Sequence, residues 1–182
     1  EVAVMGPTYM QFSGAASNLG AKVRTFSLNE NKAWALDIEE LQEAVTPNTK
    51  VIAVVNPNNP TGKILSEKEM DILIAAAEKV NAWLIADEVY GGAEREKTQP
   101  TSSFYGKYNK VITVNGLSKA YGLPGLRIGW IVAPVNLIQE LWKRHEYTTV
   151  SSSMLGNRLG EMALRPHVRR QLLDRTRKLV GQ

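Results

Sequence analysis

Cysteine is missing altogether from the 182 residues. Disulfides and thiolate catalysis are therefore excluded, and the composition suits a reducing compartment, so a cytoplasmic location is expected. Histidine is almost missing too. His145 and His167 are the two copies, far apart and without ligand-like spacing, so no metal site is expected. No apolar run approaches the ~20 residues that span a bilayer. Nor does a basic start lead into a short apolar stretch and a small-residue cleavage site, so neither a secretory signal nor a membrane partner is expected.

What is present is ordinary in bulk. Hydrophobic residues make up 43% and charged residues 22%, as in a soluble globular chain long enough for one domain with a substantial core. The net charge of +4 gathers near the C-terminus, in Arg165, Arg169, Arg170, Arg175, Arg177 and Lys178. No nucleic-acid-binding motif and no aromatic stacking residue surrounds them. They are read as a solvated helix face, and nucleic acid is not expected as a partner.

Apolar, β-rich runs alternate with helical patterns along the chain. Strands are expected at Val2 to Met5, Lys22 to Leu28, Val51 to Val55, Trp83 to Ala86, Val111 to Val114 and Ile128 to Val132. Helices are expected from Tyr9 to Leu19, stopped by Gly20, and from Ile38 to Val45. A third begins at a capping box of Ser66 and Glu69, with Met70, Ile72, Leu73, Ala76, Ala77 and Val80 as its apolar side. Pro134 opens another running towards Tyr147, and two more helical stretches finish the chain. Strands separated by helices imply βαβ units: an α/β fold with three αβα layers and a mostly parallel central sheet. Ligands of such sheets collect outside the carboxyl ends of the strands.

Three chemically rich segments each follow a strand. The first, Asn56-Pro-Asn-Asn-Pro-Thr-Gly62, is a tight turn whose asparagine amides can donate to a ligand oxygen. In the second, Asp87-Glu-Val-Tyr90, the aspartate ends an apolar strand, where its charge needs a cationic partner such as a protonated ring nitrogen. Tyr90 can aim its hydroxyl at the same ligand. The alternative is a capping aspartate, an exposed glutamate and a packed tyrosine. The third, Ser118-Lys-Ala-Tyr-Gly-Leu-Pro-Gly-Leu-Arg-Ile-Gly-Trp130, sets Lys119 in a turn directly after the run Val111 to Val114. A partly desolvated lysine there is a nucleophilic amine for an aldehyde cofactor, and Arg127 is a planar fork for a phosphate. Taken singly, the pair also fits a solvated loop lysine and a surface arginine.

Together these segments resemble the class I/II aminotransferases, the fold-type I pyridoxal-phosphate enzymes, from Pro7-Thr-Tyr9 to about Pro134. The resemblance implies their large domain as the fold and pyridoxal 5'-phosphate as the cofactor. It implies that Lys119 forms the internal aldimine and shuttles the α-proton, and that Asp87 pairs with the pyridine nitrogen. Asn59 and Tyr90 would bond the phenolic oxygen, and Arg127 would hold the phosphate with Ser118 as a further donor. Tyr9 would stack on the ring, and Pro60 would shape the asparagine loop. Substrates would be an amino acid and a 2-oxo acid, and the assembly a homodimer. One departure stands at Gly116, where members often carry a serine or threonine that reaches the phosphate.

The chain begins at Glu1 and enters a strand almost at once. Residues 1–182 are therefore expected to be the large-domain piece of a longer enzyme, with roughly 145–182 a helical tail leading towards a small domain. A lyase, decarboxylase or cyclising enzyme on the same cofactor, or a cofactor-sensing domain of a transcription regulator, would share these motifs.

Overall fold

The computed structural model describes residues 1–95 and 100–181. Seven strands, β1 (Val2–Gly6), β2 (Val23–Asn29), β3 (Ala35–Leu36), β4 (Val51–Val55), β5 (Trp83–Asp87), β6 (Val111–Gly116) and β7 (Gly129–Val132), form one sheet in the order β3-β2-β1-β4-β5-β6-β7. The five central strands pair in parallel, while β3 and β7 close the two edges antiparallel. The mostly parallel three-layer sheet expected from the sequence is thus present. β3, only two residues long, is an addition to it.

The sheet is buried on both faces, which is why its central strands are continuous apolar runs. On one face Ala3, Met5, Ile52, Val54, Leu84 and Ala86 join the main core with α2 (Ile38–Ala44) and α3 (Glu67–Lys79). Their immediate neighbours Val4, Ala53 and Val55 are buried against the other face. α3 follows from its sequence. Ser66 and Glu69 form the capping box, and Met70, Leu73, Ile74 and Ala77, at i, i+3, i+4 and i+7, are its buried residues. Truncating Leu73 to alanine there would cost roughly 2–5 kcal/mol.

The remaining helices are α1 (Gln11–Asn18), α4 (Val135–His145), α5 (Met154–Leu164) and α6 (Pro166–Val180). α1 starts two residues later than its pattern suggested, leaving Tyr9 in the turn before it, and Gly20 follows its end at φ +74°. Pro134 is the cap of α4 rather than its first residue, and the helix stops at His145. The expected tail resolves into α5 and α6, with Gln182 outside the described residues. A second, smaller core forms where Leu173 of α6 meets Leu117, Ala120 and Tyr121.

Because β1, β4, β5 and β6 run parallel, the segments after Gly6, Val55, Asp87 and Gly116 emerge at one edge of the sheet. The three motif-bearing segments and the turn carrying Tyr9 meet there.

Candidate active site

The asparagine loop divides its amides between structure and cavity. Asn56 is buried and its Oδ1 accepts from Leu65 N (3.0 Å). Asn58, also buried, donates through Nδ2 to Pro7 O and to Thr61 Oγ1 (both 2.9 Å) and accepts at Oδ1 from Thr8 Oγ1 (3.0 Å). It fastens the turn after β1 to the loop after β4. Asn59 is the one that faces the cavity, and its Nδ2 donates to the Tyr90 hydroxyl (3.3 Å). Pro60 lies elsewhere: it is exposed and lines a second cavity, of about 760 Å³, on the other side of Asn59 and Tyr90.

Asp87 ends β5 half-buried, and its Oδ1 accepts from Val89 N (3.0 Å). That short loop bond replaces the helix cap that the sequence left open. Burial pushes the Asp87 carboxyl above the ordinary Asp value, against the pull of the Val89 N–H and the Lys119 charge. No described residue donates a hydrogen bond to its Oδ2. Glu88 is not the exposed residue of the alternative reading. It is half-buried and turns away from the cavity, accepting from Ser103 Oγ (2.8 and 3.0 Å) and Phe104 N (2.8 Å). Burial raises its carboxyl as well, opposed by those donors.

Lys119 sits in a turn closed by Gly122 N donating to Lys119 O (2.9 Å), and Leu123 N donates back to Leu117 O (2.8 Å). Its side chain is exposed at the cavity mouth rather than partly desolvated as expected, with Nζ 5.9 Å from the centre of the Tyr90 ring. The Tyr90 and Lys119 loops are stitched together by Ala120 N donating to Val89 O (3.2 Å). Arg127 follows the short turn Pro124–Leu126, is exposed, and holds a left-handed φ of 54°. A non-glycine residue in that region stores strain, a recurrent feature of ligand sites. Its Nη1 donates to Pro124 O (3.0 Å).

One cavity of about 310 Å³ is lined by seven of the eight residues expected from the sequence: Tyr9, Asn59, Asp87, Tyr90, Ser118, Lys119 and Arg127. Val55 and Ile128 add apolar wall. Asn115 lines it too, and no sequence signal marked it; its Oδ1 accepts from Gly116 N (2.7 Å). Gly116 and Gly129 face each other where β6 pairs with β7. A Cβ on Gly116 would lie 3.1 Å from Ile128 O, and one on Gly129 would lie 3.1 Å from Asn115 O. The missing hydroxyl at Gly116 thus goes with close backbone packing.

The sequence profile described as aminotransferase class I and II matches residues 1–180. The chain belongs to this family. Among its relatives, a capreomycidine synthase of Streptomyces vinaceus is 32% identical over 164 residues, covering 90% of this chain and 42% of that protein. An aspartate aminotransferase of Musicola paradisiaca is 30% identical over 81% of this chain and 38% of its own length. The crystal structure of a PLP-dependent aminotransferase from Streptococcus suis superposes with a TM-score of 0.87 at 33% identity, over 96% of this chain and 45% of that one. The chain therefore spans about two fifths of the length of the curated relatives it matches.

Class I/II aminotransferases of this fold use pyridoxal phosphate, and the side chains around the cavity fit such a group. The half-buried Asp87 carboxylate, raised by desolvation and open at Oδ2, suits a cationic ring nitrogen. The exposed ring of Tyr9 offers a flat apolar surface. Among the described residues no hydrogen bond engages Lys119 Nζ, which leaves an amine free for a carbonyl carbon. The exposed Arg127 guanidinium keeps most of its donors for an anion. A volume near 310 Å³ lies at the lower end of small-ligand sites.

Proposed function

We propose that this chain carries the cofactor site of an aminotransferase that moves the amino group of an amino acid to a 2-oxo acid. The observation that carries this reading is the opening of Lys119, Asp87, Asn59, Tyr90 and Arg127 onto one cavity. Pyridoxal phosphate, when bound, supplies an aldehyde for the amino group and a protonated ring that draws electrons from the substrate α-carbon. Asp87 would hold positive charge at the ring nitrogen. Asn59 and Tyr90, already hydrogen-bonded to each other, would reach the phenolic oxygen. Arg127 and Ser118 would hold the phosphate, and Tyr9 would cover the ring. Lys119 would offer its amine to the aldehyde carbon and would be the base placed to move the α-proton. Pro60 acts at one remove, by shaping the loop that presents Asn59.

Residues 1–182 are read as the cofactor-binding large domain, with residues from about 145 a helical tail towards a small domain. The share of the relatives' length supports this. The exposed apolar side chains Trp142, Tyr147, Met154 and Leu155 support a homodimer, since such side chains favour a partner surface. No helix among the described residues is long and apolar enough to cross a membrane. The lack of cysteine in the sequence supports a cytoplasmic enzyme.

A relative named as a synthase stands beside those named as aminotransferases, so a second reading keeps the cofactor and changes the reaction. The test is a half-reaction of the cofactor-loaded full-length enzyme with glutamate, aspartate and alanine, since residues 1–182 alone are expected to be poorly active. Stoichiometric 2-oxo acid without ammonia or carbon dioxide is expected. Release of either gas-forming product in place of the 2-oxo acid would replace transamination with the second reading.

A further inference from the structure

The basic stretch near the C-terminus is not only a solvated face. Helix α6 reaches two of the loops that bring groups to the cavity, those that follow Tyr90 and Lys119. Arg175 Nη2 donates to Tyr121 O (3.0 Å), and Arg169 Nε donates to the Tyr121 hydroxyl (3.0 Å). Tyr121, 4% exposed, is therefore held at its backbone and at its ring tip, two residues beyond Lys119. Its ring also packs edge-on against Trp130, with centroids 6.3 Å apart. At the other loop, a Cβ on Gly92 would lie 2.8 Å from Leu173 Cδ2, and Arg177 Nη2 lies 3.6 Å from Oε2 of the buried Glu94.

The lysine itself is held by very little. Among the described residues nothing hydrogen-bonds to Lys119 Nζ, which has only the Tyr90 ring at 5.9 Å and a charge attraction to Asp87. A flexible four-carbon stem reaches wherever its backbone aims it, so the turn decides where the amine can go. That turn is glycine-dependent: Gly122 adopts φ +63°, and a Cβ there would lie 2.8 Å from Arg175 Nη2. The glycine leaves room for the guanidinium to sit on the turn.

We infer that Arg175 and Arg169 are positioning residues for Lys119, acting through the two ends of Tyr121 to fix the turn from which the amine enters the cavity. This rests on reading Lys119 as the lysine that anchors the cofactor. A misplacement of about 1 Å at a reacting group is worth up to ~100-fold in rate.

The test compares Arg175→Ala, Arg169→Ala and the double variant with two controls in the intact protein. Arg170→Ala removes an exposed neighbour that has no part in the contact, and Arg175→Lys restores one charged donor. Amide exchange at Gly122 and Leu123 should quicken by about tenfold or more in the double variant. The rate at which borohydride fixes pyridoxyl to Lys119, and kcat, should fall by about 10–100-fold, with KM for the amino acid held within about threefold. Arg175→Lys should recover part of each, and Arg170→Ala should match the unmodified protein. Exchange and labelling in the double variant equal to those of Arg170→Ala would overturn the proposal. So would a loss of thermal stability alone, because a purely structural contact would do only that. Should the unmodified protein take no pyridoxyl at Lys119, the cofactor reading falls, while exchange at Gly122 and Leu123 still decides whether Arg175 holds the turn.

Discussion

The Asn59 amide donates to the Tyr90 hydroxyl across 3.3 Å, joining two loops whose residues lie 31 apart in sequence. Each loop follows its own strand, β4 or β5, and the parallel pairing of those strands brings the two side chains to one wall of the cavity. Both groups then face the same region before any ligand enters. Such preorganisation is what a site needs to bind without reordering its walls.

Lys119 is expected to carry the cofactor. Loading the protein with pyridoxal phosphate, reducing with borohydride and mapping peptides should place the pyridoxyl group on Lys119. Lys63 and Lys110 serve as internal comparisons, being occupied with Glu69 and with Asn81 respectively. Label spread over several lysines would remove Lys119 from its role.

Asp87→Asn should separate stability from activity. Burial raises the Asp87 pKa, so ionised Asp87 costs folding free energy at pH values above its folded pKa, and that cost fades as pH falls through the folded pKa towards the ordinary value of 3.8, below which it is gone. The cofactor-free Asp87→Asn variant should therefore be at least as stable as the parent at pH 7, the difference closing in acid. Turnover should nonetheless drop by about 100-fold or more, because a buried cation that loses its carboxylate partner forfeits several kcal/mol. Thermal melts at pH 7 and pH 3 plus a steady-state assay decide this. Near-normal turnover in the variant would take Asp87 out of the mechanism.

Asn58→Ala should weaken the fold and loosen the site together. It strips partners from Pro7 O, Thr8 Oγ1 and Thr61 Oγ1, at a cost of roughly 2–4 kcal/mol. Thr8→Val removes only the Thr8 contact and should cost roughly 1 kcal/mol. Urea denaturation measures both. Equal, negligible changes would show that the turn after β1 is held by something other than Asn58.

Glu69 gives a pH signature. Burial pushes its carboxyl up, but the N–H groups of Leu36 and Ser66, the Ser66 hydroxyl and Lys63 more than offset this and lower its pKa to about 2. The stabilisation is therefore complete above the ordinary value of 4.5 and is lost as pH falls from there towards 2. Glu69→Gln should cost roughly 1–2 kcal/mol at neutral pH, allowing for partial solvent screening, and almost nothing near pH 2. Denaturant titrations across this window test it. A gap independent of pH would mean that Glu69 acts by packing rather than by charge.

Much of this was legible in the chain itself. Runs such as Val51 to Val55 are long, apolar and β-branched, so a buried parallel strand was the natural reading. The Asn59, Asp87 and Lys119 segments each follow such a strand, and topology did the rest. β3 was missed because two residues carry no period, and its place depends on pairing with β2 rather than on local preference. The Arg169, Arg175 and Arg177 contacts were missed for a related reason. A helical pattern shows which residues share a face but not that Tyr121 and Glu94 lie beneath it. The exposure of Lys119 was missed because a position after a strand does not fix how deep a turn sits.

The Gly116–Gly129 pair constrains how this site can change over time. Each glycine makes room for the opposing backbone, so a side chain at one strand end asks the other strand to give by a few tenths of an ångström. A mutation introducing serine at 116 would meet the hairpin before it met a phosphate, and its fitness would depend on what had already happened around 128–129. Position 116 is thus epistatic with its cross-strand partner. A lineage with glycine at both positions would gain a phosphate-binding hydroxyl there more readily once the β6–β7 hairpin has eased by that amount.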